Sequence, residues 1–417
     1  MVLIRCARPV KLAYVLALVV CLIIVFCLTT SSSPQYLPKN LYQKTLITAS
    51  AAVARVSDIA SKRAASAVNN NDANSVQSVS PYPKRVNMGE CPPLYGKVNV
   101  VVIMVQRSYD THYKVAQETL RCYLKSTNYS FVLIDLDSDE RVNQACKHDQ
   151  LFFKKHCAAA TYLGDSDWTL VLDADTGVVN PNHCIEEWID PRVDFIFYER
   201  FFNWEIASGN YIVKNTPFAK DFLMKWADWQ YIQPNNWNGA DNGVLQIHIL
   251  QTVMPYAKQE IINCDKIWRE STGYDTYMAY VTCVKIYLGA TRIWPGKLRI
   301  LHRAHGWVRD GFMTADKFCD SDFMLHGWKL QSIGENGWNS PFTRLPNQSE
   351  CGSGGYAGWY WRNESRDTTS NIRQSLANFE QSSGKSFPAV ARIIPYLTKP
   401  DVAECYPGCD KPLDIDS

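Results

Sequence analysis

Three short apolar runs punctuate the first half of this chain, and after each the apolar residues recur at every third or fourth position. Val98–Val105 is the first run. Behind it Ala116, Leu120 and Leu124 share one helical face, with Asp110 placed to cap that helix. Phe131–Leu136 is the second run, followed by an alanine-rich helical pattern over Leu151–Leu163. Trp168–Leu172 is the third. Val193–Tyr198 and Asn210–Val213 add two more strands, and Pro217–Trp229 returns to the helical period. Uninterrupted Val/Leu runs alternating with helices predict strands buried on both faces of a mainly parallel α/β sheet. Beyond about Leu345 the pattern loosens into polar, cysteine-bearing sequence, and no internal repeat is visible.

The N-terminus follows a different rule. Leu12–Leu28 is uncharged and apolar, at the short end of the roughly 20 residues that span a bilayer as a helix. Arg5, Arg8 and Lys11 precede it, and no charge follows until Lys39. That asymmetry orients the N-terminus to the cytosol. The expected organisation is a cytosolic tail over 1–11, a transmembrane signal anchor over 12–28 and a flexible stem over 29–90. An ordered domain over 91–345 and a cysteine-containing C-terminal extension over 346–417 then follow. A cleaved signal peptide is the competing reading, since small residues follow Leu28. The stem is rich in Ser, Ala and Asn, and Leu46, Ala49, Val53, Val56, Ala60 and Ala67 fall on a weak coiled-coil spacing that would pair two copies.

Either reading of the N-terminus sends the rest of the chain into the secretory pathway, as a type II protein of the Golgi or ER membrane if the anchor is kept. The cysteines fit. Those from Cys91 onward are odd in number and lack the paired spacing of a zinc site, so disulfides with one thiol left over are expected, and Cys405 and Cys409 should staple the tail. Asn128-Tyr-Ser, Asn347-Gln-Ser and Asn363-Glu-Ser are N-glycosylation acceptors, whereas Pro217 blocks the one at Asn215. The net charge of +2 gives no basic excess for nucleic acid. Thirteen Trp and 22 Tyr provide rings for flat ligands such as sugars or bases.

The candidate chemistry sits at the end of the third run, where Asp173 and Asp175 follow Leu172 and Asn180-Pro181 turns the chain. Ligands of open α/β sheets bind at the carboxyl ends of the strands. Two carboxylates one residue apart repel unless a cation lies between them, and a hard divalent ion there can carry phosphates. The bland alternative is that both acids cap the next element. Gln106 and Arg107 end the first strand, where nucleotides commonly bind, and Lys155 lies on the alanine-rich helix facing the same end.

The order of strands and helices leading to Leu-Asp-Ala-Asp resembles the Rossmann-like GT-A nucleotide-diphospho-sugar transferase fold, whose Asp-x-Asp motif holds a metal under a sugar-nucleotide diphosphate. Ala207-Ser-Gly-Asn-Tyr-Ile-Val-Lys-Asn215 is similar to a segment of the galactosyl-, xylosyl- and mannosyltransferase family typified by yeast mannan α-transferases. Gly239-Ala-Asp-Asn-Gly-Val-Leu245 looks like that family's Asp-Gln-x-x-Leu helix start, with Asn242 in place of Gln. The Asp-Ala-Asp together with a downstream His-Gly-Trp-Lys also resembles a nematode group of transferase-like proteins. The resemblance covers roughly Val98–Lys329. It implies a glycosyltransferase, retaining by family likeness, that uses Mn2+ or Mg2+, a nucleotide sugar and a glycan or glycoprotein acceptor.

The resemblance also implies roles. Asp173 would lie near the ribose or the metal, and Asp175 would ligate the metal. A late histidine would complete the shell, and His326 fits best: Phe323–Leu325 reads as a strand before it, a glycine follows, and Lys329 can meet phosphate. His302 and His305 are its rivals. Gly209 would let backbone approach the donor sugar, and Asp241 at a helix start would orient the acceptor hydroxyl or flank the anomeric carbon. Two other readings stay open. One is a lectin-like or scaffold protein on the same fold. The other is a haloacid-dehalogenase-type phosphatase, whose Asp-x-Asp-x-Thr nucleophile loop Leu172-Asp-Ala-Asp-Thr-Gly177 also resembles.

Overall fold

A computed structural model describes residues 91–329 and 341–410. The anchor and stem expected over 12–28 and 29–90, and any pairing of copies through that stem, lie outside the described residues. Among the described residues no helix is long and apolar enough to cross a membrane.

A seven-stranded sheet organises the chain. Its strands are β1 (Val98–Met104), β2 (Ser130–Asp135), β3 (Trp168–Leu172), β5 (Phe195–Tyr198), β6 (Tyr211–Lys214), β7 (Ile293–Trp294) and β8 (Leu298–Leu301), in the spatial order β2-β1-β3-β6-β5-β8-β7. The short β4 (Thr176–Val178), β9 (Val308–Asp310) and β10 (Met324–His326) form a second sheet in the order β4-β10-β9. Every residue of β1, β3 and β5 is buried, which matches their unbroken apolar sequence.

The sheet is mixed rather than mainly parallel. β1 pairs with β2 and β3 in parallel, and so does β5 with β8, but β6 runs antiparallel to both β3 and β5, and β7 to β8. The cause lies in the connections. A parallel return needs a crossover of a dozen residues or more, as the helices before β2 and β3 provide. The twelve residues 199–210 between β5 and β6 hold no helix and pair with one another, with Glu199 bridged antiparallel to Ile206 and the Ala207 amide donating to the Tyr198 carbonyl at 2.9 Å, so the two strands form one hairpin.

Helices Leu151–Tyr162, Pro217–Asp228, Ala240–Val253 and Tyr274–Leu288 cover one face, where Phe195, Tyr211, Trp226 and Trp268 make an aromatic core. Helix Lys114–Leu124 and the chain around Trp328, Trp359 and Trp361 cover the other. Asp110 does not cap the first of these helices; it sits in a π-helical turn over Tyr109–Tyr113, and the helix begins at Lys114 with no side-chain cap. The C-terminal extension carries a helix that its polar sequence concealed, Thr369–Gly384, which buries only Ile372, Leu376 and Glu380, one residue per turn.

Among the described residues five disulfides join Cys91–Cys184, Cys122–Cys351, Cys146–Cys157, Cys264–Cys283 and Cys405–Cys409, and Cys319 is the buried thiol left over. Cys122–Cys351 spans 229 residues and ties helix Lys114–Leu124 to the extension.

Candidate active site

β3 ends at Leu172, and the chain turns through Asp173-Ala174-Asp175 into β4. Three neighbours pin that turn. Gln117 Nε2, from helix Lys114–Leu124, donates to the Ala174 carbonyl at 2.8 Å. The buried Asn210 accepts from the Asp173 amide and from the Thr176 hydroxyl, each at 3.0 Å, while its own amide donates to the Tyr198 hydroxyl at 3.0 Å. Gly209, next to it, is a close approach. A Cβ there would lie 1.9 Å from Asp173 Oδ2. Its missing side chain makes room for the carboxylate itself.

The small sheet delivers the histidine. β10 pairs antiparallel with β4, placing His326 opposite Thr176, and parallel with β9, placing it opposite Asp310. His326 Nε2 therefore lies 3.3 Å from Asp175 Oδ1 and 3.8 Å from Asp173 Oδ2, while Nδ1 lies 2.8 Å from Asp310 Oδ1. Gly327, at φ +103°, turns the chain so that the amides of Gly327 and Trp328 donate to the Asp175 carbonyl at 3.1 and 3.0 Å. Lys329 follows, half-exposed, with Nζ 3.5 Å from Asp175 Oδ2.

The charges are strongly coupled. Burial opposes ionisation of Asp175, but His326 and Lys329 outweigh it and hold the carboxyl well below the usual carboxylate range. Burial likewise opposes charge on His326, and Asp175 and Asp310 overcome it, raising the imidazole to about 10. Asp173, Asp175 and His326 offer two carboxylate oxygens and one nitrogen within 4.8 Å of one another. Donors about 2 Å from one ion and at right angles to each other stand about 3 Å apart, so the set has the size of a metal shell. Asp310 accepts from Nδ1 and so turns Nε2 toward the two acids, where a bound cation would replace the Nε2 proton, the arrangement that orients metal-binding histidines.

The other expected site residues fall elsewhere or serve differently. His302 pairs with Asp410 at 2.6 Å and His305 contacts the Arg303 carbonyl at 2.9 Å, so neither approaches the acids. Lys155 does not present a free cation to the site. It is buried, 3.3 Å from Asp173 Oδ1 and 3.1 Å from Asp241 Oδ2. Asp241 is buried as well. Burial opposes its charge, but Lys155 and His156, the latter 3.1 Å away, hold its carboxyl well below the usual range. Both contacts fall on Oδ2, so Asp241 serves as the partner of Lys155 and His156 beneath the cluster. Gln106 and Arg107 are exposed just past β1, where the Gln106 amide donates to Asp135 at the end of β2, at 3.0 Å. Neither makes a contact with Asp173, Asp175 or His326.

Residues that the sequence did not single out complete the site. Asp310 and Asn210 are described above. Tyr113, in the π-helical turn, is half-buried, and its phenol is pushed up by burial and then by the fields of Asp175 and Asp173. Arg200, just past β5, lies 3.6 Å from Glu205; burial opposes its charge, and Asp310, Glu205 and Asp173 are among the groups that sustain it. The π-helical turn over Tyr109–Tyr113 leaves no mark in the apolar pattern of the chain.

The chain belongs to the family described as "Protein of unknown function, DUF273", whose model matches residues 120–339, more than half of the chain and the whole stretch from Lys155 to Lys329. No curated protein matches it. Among solved structures, a glycosyltransferase that takes part in glycosylating the major capsid of the virus PBCV-1 is similar at 15% identity, covering 55% of this chain and 93% of that one, with a TM-score of 0.30. The Streptococcus pneumoniae TIGR4 glycosyltransferase GlyE is similar at 13% identity over 45% of this chain and 60% of its own, with a TM-score of 0.27. A Pyrobaculum calidifontis mannosyltransferase, solved with GDP-Man and Mn2+, is similar at 10% identity over 57% and 79%, with a TM-score of 0.22. At those TM-scores the likenesses carry no argument, and the site has to speak through its own geometry.

Proposed function

We propose that this chain is a metal-dependent glycosyltransferase. In this reading it moves a hexose or pentose from a nucleotide-diphosphate sugar to a glycan or glycoprotein acceptor, in the lumen of the Golgi or ER, with retention of configuration. One observation carries the reading: Asp173, Asp175 and His326 converge at the carboxyl end of a central α/β strand, with Lys329 beside them. The five disulfides suit an oxidising compartment, consistent with an anchor at Leu12–Leu28 and a lumenal domain.

Asp173, Asp175 and His326 would hold Mn2+ or Mg2+, which supplies Lewis-acid neutralisation of charge on a departing diphosphate. The remaining work falls to the chain. Lys329 provides a mobile point charge for a phosphate oxygen. Asp310 keeps the imidazole in the tautomer whose Nε2 faces the acids. Gln117 and Asn210 fix the turn that carries both carboxylates. Asp241, paired with Lys155 and His156 and held well below the usual carboxylate range, is a poor base for an acceptor proton. That favours a retaining reaction, which does not depend on a separate enzymatic base.

Incubating the protein with Mn2+ and a panel of nucleotide sugars tests the reading. Hydrolysis or transfer from one donor is expected. Cleavage of p-nitrophenyl phosphate would instead indicate the phosphatase, and binding without turnover the lectin-like protein. Lys329→Ala should weaken Mn2+-dependent UDP binding by about 1.5–3 kcal/mol, the range for a hydrogen bond to a charged group. Equal affinities by calorimetry would remove Lys329 from the site. Gly209→Ala should displace Asp173 and lower the same affinity by about 10–100-fold, as loss of a supporting contact around a metal does. An unchanged affinity there would mean that Asp173 is not a ligand.

A further inference from the structure

A groove of about 380 Å³ opens at the amino end of the central strands, the end opposite Asp173 and Asp175. One wall is the turn 125–128 between helix Lys114–Leu124 and β2. The other is a glycine-rich loop with Gly354 and Gly355, continuing into Tyr356 and Trp359. A Cβ built on Gly354 or Gly355 would meet no atom within 4 Å, so bare peptide groups line that side. Cys91–Cys184 forms part of the lining, and Cys122–Cys351 ties the two walls together. The groove is therefore held open by covalent bonds, and its volume falls in the range of small-ligand sites.

Asn128 stands on its rim, exposed, and begins the sequon Asn-Tyr-Ser. The other two sequons are placed differently. Asn347 already donates its amide to Glu350 at 2.6 Å, and Asn363 is exposed and does not line the groove. We propose that the groove seats the first N-acetylglucosamine units of a glycan linked to Asn128. Their hydroxyl and acetamide groups meet the peptide groups of the glycine loop, with the half-buried Tyr356 ring beside them. A short covalent tether gives such an occupant an effective concentration that no free sugar reaches.

The linkage arises during secretion from a lipid-diphosphate oligosaccharide. Asn128 Nδ2 bonds to the anomeric carbon, the bond from that carbon to the phosphate oxygen breaks, the lipid diphosphate leaves as an anion, and an amide proton is released to solvent. The proposal rests on the secretory location and is independent of the transfer reaction.

The test uses the full chain expressed in a secreting eukaryotic host. Glycopeptide mass spectrometry should find Asn128 occupied. Peptide-N-glycosidase should release that glycan about tenfold or more slowly from the folded protein than from the denatured one, because release requires local opening. Asn128→Gln and Ser130→Ala should each lower Tm by about 1–2 °C, the shift for roughly 1 kcal/mol in a domain of this size. Asn363→Gln should leave it unchanged. A bare Asn128 alongside an occupied Asn363 would overturn the groove proposal alone. No glycan at any sequon would overturn it together with the secretory location. Equal release rates before and after denaturation, or an unchanged Tm in Ser130→Ala, would show that the groove holds no glycan.

Discussion

Asp175→Asn is expected to abolish metal-dependent nucleotide binding while the protein stays folded. The substitution keeps the volume and removes one ligand charge from a group of which Lys329 and His326 are the immediate partners. Losing an outer contact around a metal site costs roughly 10–100-fold in affinity, and losing a carboxylate ligand should exceed that. The measurement is calorimetric titration of UDP in the presence of Mn2+, with thermal unfolding as the control for the fold. An affinity within a few-fold of wild type would sink the metal site, and with it the transferase reading. The enclosed fields of Asp310 and Arg200 would then have to be explained as structural.

The second large effect is on stability. Lys155→Met replaces a buried cation that touches two carboxylates, at 3.3 Å from Asp173 and 3.1 Å from Asp241. Burial opposes charge on this lysine, yet the two acids raise its pKa above the ordinary lysine value. Removing it leaves Asp241 in the core with no full counter-charge, facing Ser208 and His156, whose ring burial keeps largely neutral, its pKa lowered to about 4. Breaking a buried pair from one side costs about 3–5 kcal/mol. Denaturant unfolding should show that loss, and adding Asp241→Asn to Lys155→Met should restore part of it. If the single variant is as stable as wild type, Lys155 is not the counter-charge of this cluster.

The apolar patterning carried β1 and β3 because each is covered on both faces, and a run such as Val98–Met104 leaves no other reading, whereas β2 at the sheet edge is buried only at Ile134 and showed itself by its apolar run alone. The direction of β6 was not legible in the same way. Its short apolar stretch looks alike in either orientation, and only the hairpin pairing of the residues before it decides. Helix Thr369–Gly384 escaped for the opposite reason, since a stripe of three buried residues in sixteen is too narrow to register as a helical period. Within the site, Asp173, Asp175 and His326 could be singled out because each sits at a strand end. The burial of Lys155 could not, since a lysine within Phe-Phe-Lys-Lys-His fits an exposed or an inward face equally well. Asp310 depended on the register of β9 against β10, a pairing that exists only once the sheet forms.

The bond between Cys122 and Cys351 closes a ring of chain, and that ring contains every proposed ligand from Asp173 to His326 as well as Lys155, Asp310 and Lys329. A single cut anywhere within it opens the ring without making two pieces. The two new ends remain one molecule, joined through helix Lys114–Leu124 and the extension, and the halves of the metal cluster stay at an intramolecular concentration. A protease that nicks a loop within the ring would therefore leave a protein that runs as one piece until a reducing agent is added. The cell's redox state, more than its proteases, would decide how long the site survives.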